Sequence, residues 1–471
     1  MVTDTGLPIP TGFDRIYNAL GPGVPFLVDV FETVLAEAEA EGTGEGTSDR
    51  GIIEVMKGRA RMKLVDISGR ISPTTLDWIQ KLVAFDTTSR QSNLALIETI
   101  RAEIASHALS PLIVSNSEGT KANLFVTIPA ADGTSAGGVM LAAHTDVVPV
   151  DGQVWSSDPF IAHIRDGRLY GRGACDMKAF SGVILALLPE FLAAPLRTPL
   201  HLAFTYDEEV GCHGAGVLLQ QLEAQNIHPA LCIVGEPTSM RVVTAHKSSH
   251  LFRVIVTGVA SHSSNTPCGV NAIEYAARAI SFIRSIADEH EAIGPFDPTF
   301  EVPFTTANVG VVSGGVAVNT VADLCEFQFE FRTIPGVEPK EMTARIENYL
   351  LGELRTEMQR ENVGAGIRII PLGAVPALRP GTGEALRLVR ELIGGELIDG
   401  GVTAEARATP HDSTVGYGTE GGLFQLAGID TVVCGPGSME QGHTADEYIE
   451  LSQVNACEHF MRKLIQQLSA E

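Results

Sequence analysis

Two hydrophobic patterns alternate along the 471-residue chain. Helical periodicity begins near Ser72 with TTLDWIQKLVAF and NLALIETIRAEIASH, and returns in SGVILALLPEFLAA and GEALRLVRELIG. Between these stretches lie short runs apolar at nearly every position, VMLAAHTDV, LHLAFTYDEE, ALCIVGEP and TVVCGPGS, each closing on polar residues. Such runs predict strands buried on both faces, the signature of an α/β sheet. Sites in open α/β sheets form at the carboxyl ends of strands, so His144, Asp146, Asp207, Glu208, Glu209 and Glu236 are expected to converge.

From residue 250 to 372 the pattern changes to strand (LFRVIVTGV), helix (GVNAIEYAARAISFIRSIADEH), strand (TANVGVV), strand (ADLCEFQFEFRTI), helix (EPKEMTARIENYLLGELRTEM) and strand (IRII). That is the βαββαβ order of a ferredoxin-like unit. Cys325, Phe327, Phe329 and Phe331 alternate with Glu326, Gln328, Glu330 and Arg332, the period of two of a sheet wetted on one face. The expected organisation is an extension (1–70), a discontinuous α/β catalytic domain of mixed sheet flanked by helices (71–249 and 373–471), and an inserted α+β lid and dimerisation domain (250–372). Within the extension, an amphipathic pattern at 26–40 precedes the acidic, turn-rich EGTGEGTSDR, and no chemistry is assigned to it.

Composition narrows the function classes. With 33 Lys+Arg against 57 Asp+Glu, the formal charge of −24 excludes nucleic-acid binding by phosphate neutralisation. The richest apolar stretch, residues 182–196, is interrupted by Pro189 and Glu190, so no membrane span is expected. Seven scattered cysteines without a CxxC suggest neither a disulfide framework nor a thiolate zinc site; they are expected to be reduced and mostly buried. The opening MVTDTGLPIPTGFDR lacks the basic-then-apolar order of a secretory signal, and the expected location is cytoplasmic.

Taken singly, the polar clusters are ambiguous. His144 of LAAHTDVV is either an ordinary polar residue or a metal ligand oriented by Asp146 or a neighbour. Asp176 in GRGACDMK, taken by itself, reads as a turn aspartate capping the next helix, and Glu208 with Glu209 can be a solvated acidic turn. Adjacent glutamates at a strand end diverge, so one can bind a metal while the other holds a water. Glu236 in IVGEPTS and His443 in GPGSMEQGHTADEY complete the set. Jointly, two imidazoles and three carboxylates suit Zn²⁺ or Co²⁺ better than Ca²⁺ or Mg²⁺. Glu420, in YGTEGGLF, is either a counter-charge for a substrate ammonium or a helix-start carboxylate.

The segments HTDVVPVDGQVW, GRGACDMK, DEEVGCHGA, VGEPTS, ASHSSNTPCGVNAIE, NTVADLCEFQFEFRTIPG and GPGSMEQGHTADEY occur in one order across residues 72–471. In this the chain resembles the acetylornithine deacetylase / succinyl-diaminopimelate desuccinylase family of di-zinc amidohydrolases. The resemblance implies that His144 and Glu236 bind one zinc, that Glu209 and His443 bind the other, and that Asp176 bridges them ahead of a cis Asp176-Met177 peptide. It also implies Asp146 as the partner of His144, Glu208 as general acid/base, and Arg332, aided by Asn319, as the grip on a substrate carboxylate. His262 matches a lid histidine that reaches the partner's active site, which implies a homodimer. VGEPTSMRVVTAHK and GPGSMEQGHTADEYIE look closest to acetylornithine deacetylase, implying deacetylation of N-acetyl-L-ornithine. A desuccinylase, an aminoacylase or a dipeptidase is the alternative within the family. A non-catalytic relative recruiting a partner through residues 1–70 is the alternative outside it. The extension and the serine after the lysine of AHKSSH depart from the family pattern.

Overall fold

The computed structural model describes residues 71–380, 383–393 and 414–469; the amphipathic pattern at 26–40 lies outside them. A six-stranded sheet runs in the order Leu112–Ser115, Ala122–Ile128, Leu200–Thr205, Val139–His144, Leu231–Pro237, Asp430–Gly435. The last four strands are mutually parallel, and the first two, absent from the sequence reading, add an antiparallel edge. The apolar runs are strands because alternate residues feed two cores. Leu141 and Ala143 pack with helices Pro73–Val83, Ala179–Ala193 and Leu451–Leu468, whereas Met140 and Ala142 pack with Leu218 and Phe424 on the opposite face. Each large side chain so buried contributes roughly 1.5–3 kcal/mol. Pro189 does not end its helix, which continues to Ala193.

The same alternation positions chemistry. Two residues beyond Ala142 comes His144, and two beyond Val234 comes Glu236, so both leave adjacent parallel strands on one face. The neighbouring strand must then approach closely: a Cβ on Gly435 would stand 2.0 Å from the Gly235 carbonyl oxygen and 2.5 Å from that of Glu236.

In sequence between Leu231–Pro237 and Asp430–Gly435 lies a second, antiparallel sheet, ordered Thr306–Gly314, Leu324–Arg332, Ser249–Thr257, Gly366–Val375. Helix Ala272–Ile293 and the helical run Pro339–Glu347, Asn348–Leu354, Arg355–Glu361 contribute to its core. Cys325, Phe327, Phe329 and Phe331 are buried in that core, as the alternation predicts. All seven cysteines are free, and only Cys268 is exposed. Among the described residues, no helix is long and apolar enough to cross a membrane.

Candidate metal centre

His144, Asp176, Glu208, Glu209, Glu236 and His443 come together beyond the carboxyl ends of the parallel strands. Asp176 is central. Its Oδ1 lies 2.9 Å from His144 Nε2, and its Oδ2 lies 3.0 Å from His443 Nε2. Glu236 Oε1 approaches His144 Nε2 at 3.6 Å, and Glu209 Oε2 approaches His443 Nε2 at 3.1 Å. The Asp176-Met177 peptide is cis.

His144 Nδ1 faces the Asp146 backbone carbonyl at 2.9 Å and the Asp146 carboxylate at 3.6 Å. A neutral ring donating Nδ1–H to that carbonyl turns the Nε2 lone pair towards two carboxylates, a repulsive arrangement unless a proton or cation lies between. The Asp146 carboxylate has a second task. It accepts from Ser89 Oγ at 2.7 Å and from the backbone N–H groups of Glu208 at 3.0 Å and Glu209 at 3.3 Å, thereby setting the turn that carries both glutamates. Asp207 enters this turn at φ 56° and ion-pairs with Lys121.

Electrostatically, the cluster is short of positive charge. Burial, reinforced by Asp176, pushes the Glu209 carboxyl up to about 7 and Glu236 well above the usual carboxylate range. Burial likewise raises Glu208, with His144 partly opposing. His443, hydrogen-bonded to Asp176 and Glu209, is held up at about 11. Glu209 Oε1 and Glu236 Oε1 are buried without a hydrogen-bond partner. Orphaned carboxylate oxygens beside imidazole lone pairs fit divalent cations with nitrogen and oxygen ligands. Ligand atoms of His144, Asp176 and Glu209 lie within 4.8 Å of one another, as do those of His144, Glu208 and Glu236.

Sequence reasoning missed the support behind Asp176. Glu447 accepts from Arg172 Nη1 at 2.6 Å and from the backbone amides of Gly173 (3.1 Å), Cys175 (2.9 Å) and Asp176 (3.0 Å). One buried carboxylate therefore fixes the whole Asp176 loop. Its only sequence signal is a place in the acidic tail GHTADEY, where Asp446 is an equal candidate. Cys212 was also missed; its thiol donates to Glu208 Oε1 at 3.4 Å.

The remaining three candidates are placed differently. His262 is exposed in a short ribbon paired with Thr320, beside exposed Asn319, and its Nδ1 meets Ser264 Oγ at 2.8 Å. Arg332 donates to Glu330 at 3.0 and 3.3 Å and to the Gly416 carbonyl at 3.5 Å. Among the described residues, none of these three side chains hydrogen-bonds or ion-pairs with the cluster.

Known proteins resemble this chain in both sequence and fold. An acetylornithine deacetylase of Proteus mirabilis (strain HI4320) is 31% identical over 403 residues, spanning 84% of this chain and 96% of the relative. A tripeptidase of Staphylococcus aureus subsp. aureus Mu50 shares the fold with a TM-score of 0.64 at 19% identity, over 85% of this chain and 99% of its own. A Bacillus subtilis protein named as a dinuclear metal binding peptidase gives 0.55 at 16% identity, over 83% and 96%. The profile of peptidase family M20/M25/M40 matches residues 140–467, and the chain belongs to this family of metal-dependent hydrolases.

Proposed function

We propose that the chain hydrolyses the amide bond of N-acyl amino acids, with N-acetyl-L-ornithine as substrate and ornithine and acetate as products. The observation that carries the chemistry is the division of Asp176 between two histidines, each flanked by a further carboxylate. The similarity to an acetylornithine deacetylase supports the substrate. In this reading His144, Glu236 and Asp176 hold one ion, and Asp176, Glu209 and His443 hold the other. Zinc is the expected metal, with cobalt as a substitute. Bound there, the ions acidify water and offset charge developing on the scissile carbonyl oxygen.

Glu208 takes the water's proton and returns it to the nitrogen of the leaving amine. Its backbone is fixed by Asp146, and its raised proton affinity suits both halves of that transfer. Arg332 grips the substrate's α-carboxylate through two parallel N–H groups. Asn319 aids Arg332 in that grip, and the antiparallel sheet serves as a lid, from which His262 reaches the site of a partner subunit in a homodimer.

The test is turnover of N-acetyl-L-ornithine, N-acetylmethionine and succinyl-diaminopimelate by zinc-loaded protein and its Glu208→Gln variant. The expected result is preference for N-acetyl-L-ornithine and a loss of about 10³-fold in the variant at unchanged metal content. A variant within a few-fold of the parent would remove Glu208 from this role.

A further inference from the structure

Glu420 is 1% exposed, neither of its carboxylate oxygens makes a well-formed hydrogen bond, and the neighbouring Thr205 hydroxyl brings no charge to it. The helix-start role open to it from sequence is not performed. It precedes helix Gly421–Leu426 but makes no side-chain cap, and the Gly421 amide donates instead to Thr419 Oγ1 at 3.0 Å. Among the described residues, no Lys or Arg nitrogen stands within ion-pair distance of it. A desolvated carboxylate in that state is unfavourable until a cation or a proton joins it.

The location indicates which. Glu420 and the centre are close enough for their charges to act on one another: burial pushes Glu420 up to about 7 with the Thr205 hydroxyl and His144 partly opposing, and Glu420 adds to the burial that raises Glu208. The loop leading to it, residues 416–420, begins at the opposite charge. There the Gly416 carbonyl accepts from Arg332, and Lys247 donates to the Phe304 carbonyl at 2.6 Å with no carboxylate at ion-pair distance among the described residues. A single buried imidazole ties the two ends together. His246 directly precedes Lys247, and its Nε2 accepts the Thr419 amide at 3.3 Å. Four residue steps span at most about 14 Å. Two cations, Arg332 shared with Glu330 and Lys247 without a carboxylate partner among the described residues, stand at one end and the buried Glu420 at the other, which matches a substrate anionic at its α-carboxylate and cationic at its side chain.

We propose that Glu420 is the counter-ion for the substrate's side-chain ammonium and makes the site selective for N-acyl amino acids with a cationic side chain. This rests on the deacylase reading above. Upon binding, the ammonium supplies the donors that the protein withholds. A neutral side chain of equal length leaves the carboxylate bare, and a site built around a charged partner discriminates strongly against its absence.

The experiment compares N-acetyl-L-ornithine with N-acetyl-L-norvaline, which has the same carbon chain without the ammonium, in the full-length zinc-loaded protein and in Glu420→Gln. The expected result is a fall of about 100-fold in the ratio of kcat/KM for the ornithine over the norvaline substrate, carried by KM. An unchanged ratio, or equal loss on both substrates, overturns the proposal while leaving the deacylase reading intact. Failure of the parent protein to hydrolyse either substrate overturns both. Thermal melting of Glu420→Gln is expected at or above that of the parent, because a bare buried charge is removed; a lower melting temperature would reveal a structural partner and also overturn the proposal.

Discussion

The ends of the parallel strands and the antiparallel sheet with its helices handle charge in opposite ways. In the latter, acids away from the substrate-binding Arg332 are matched locally: Arg253 with Glu326, Arg278 with Glu357, Arg345 with Glu289. At the strand ends, four acids crowd around two imidazoles, and buried oxygens of Glu209 and Glu236 go without donors. Exposed pairs of the first kind contribute about 0–1 kcal/mol each and need nothing from outside. A cluster of the second kind is stable only with a bound cation or with protons. Local charge matching thus marks a surface that is finished, and its failure marks one awaiting a ligand.

The largest effect should follow from removing the residue on which that contrast turns. Asp176→Ala deletes the side chain that, among the described residues, stands at ion-pair distance from both His144 and His443, so loss of metal and a fall in turnover of at least about 10³-fold are expected. Metal analysis of the purified variant checks this. Two ions per chain in the variant would show that the histidine–glutamate pairs suffice alone.

Glu447→Gln should act next most strongly. It leaves Arg172 buried without its anion and loosens the amides of Gly173, Cys175 and Asp176. Breaking such a pair costs roughly 3–5 kcal/mol of stability, and outer support of this kind typically governs 10–100-fold in metal affinity. Competition against a chelator measures the second quantity. Parental affinity in a folded variant would mean that the Asp176 loop holds its own shape.

How much of this was legible in the chain follows the same division. His144 and Glu236 could be read because a fully apolar strand leaves its first polar residue at a fixed place, and parallel neighbours end in one layer. The βαββαβ order and the buried Cys325–Phe331 alternation were legible for a related reason, a strict period of two. Glu447 was not, since nothing in its neighbours says that its carboxylate folds back onto amides some 270 positions earlier. The two roles of Glu420 could not be separated by sequence either. Choosing between a capping carboxylate and a bare one requires knowing where the Thr419 hydroxyl points.

The smallest effect is a difference in the sign of a pH dependence. In the metal-free protein, Glu209 is raised from 4.5 to about 7, and His443 from 6.5 to about 11. In both cases the folded state binds more protons than the unfolded chain, so stability falls as pH rises, first between about 4.5 and 7 and then on towards 11. The locally paired acids act oppositely. Arg345 and Arg278 draw Glu289 and Glu357 below the ordinary carboxylate value, and their small contribution is present above it and lost on acidification. Divalent ions replace the protons of the first group and leave the second untouched. The melting-temperature gap between metal-loaded and chelator-treated protein should therefore widen steadily from pH 5 to pH 9. A constant gap over that range would mean that the strand-end acids are balanced by the protein itself, and the contrast between the two regions would disappear.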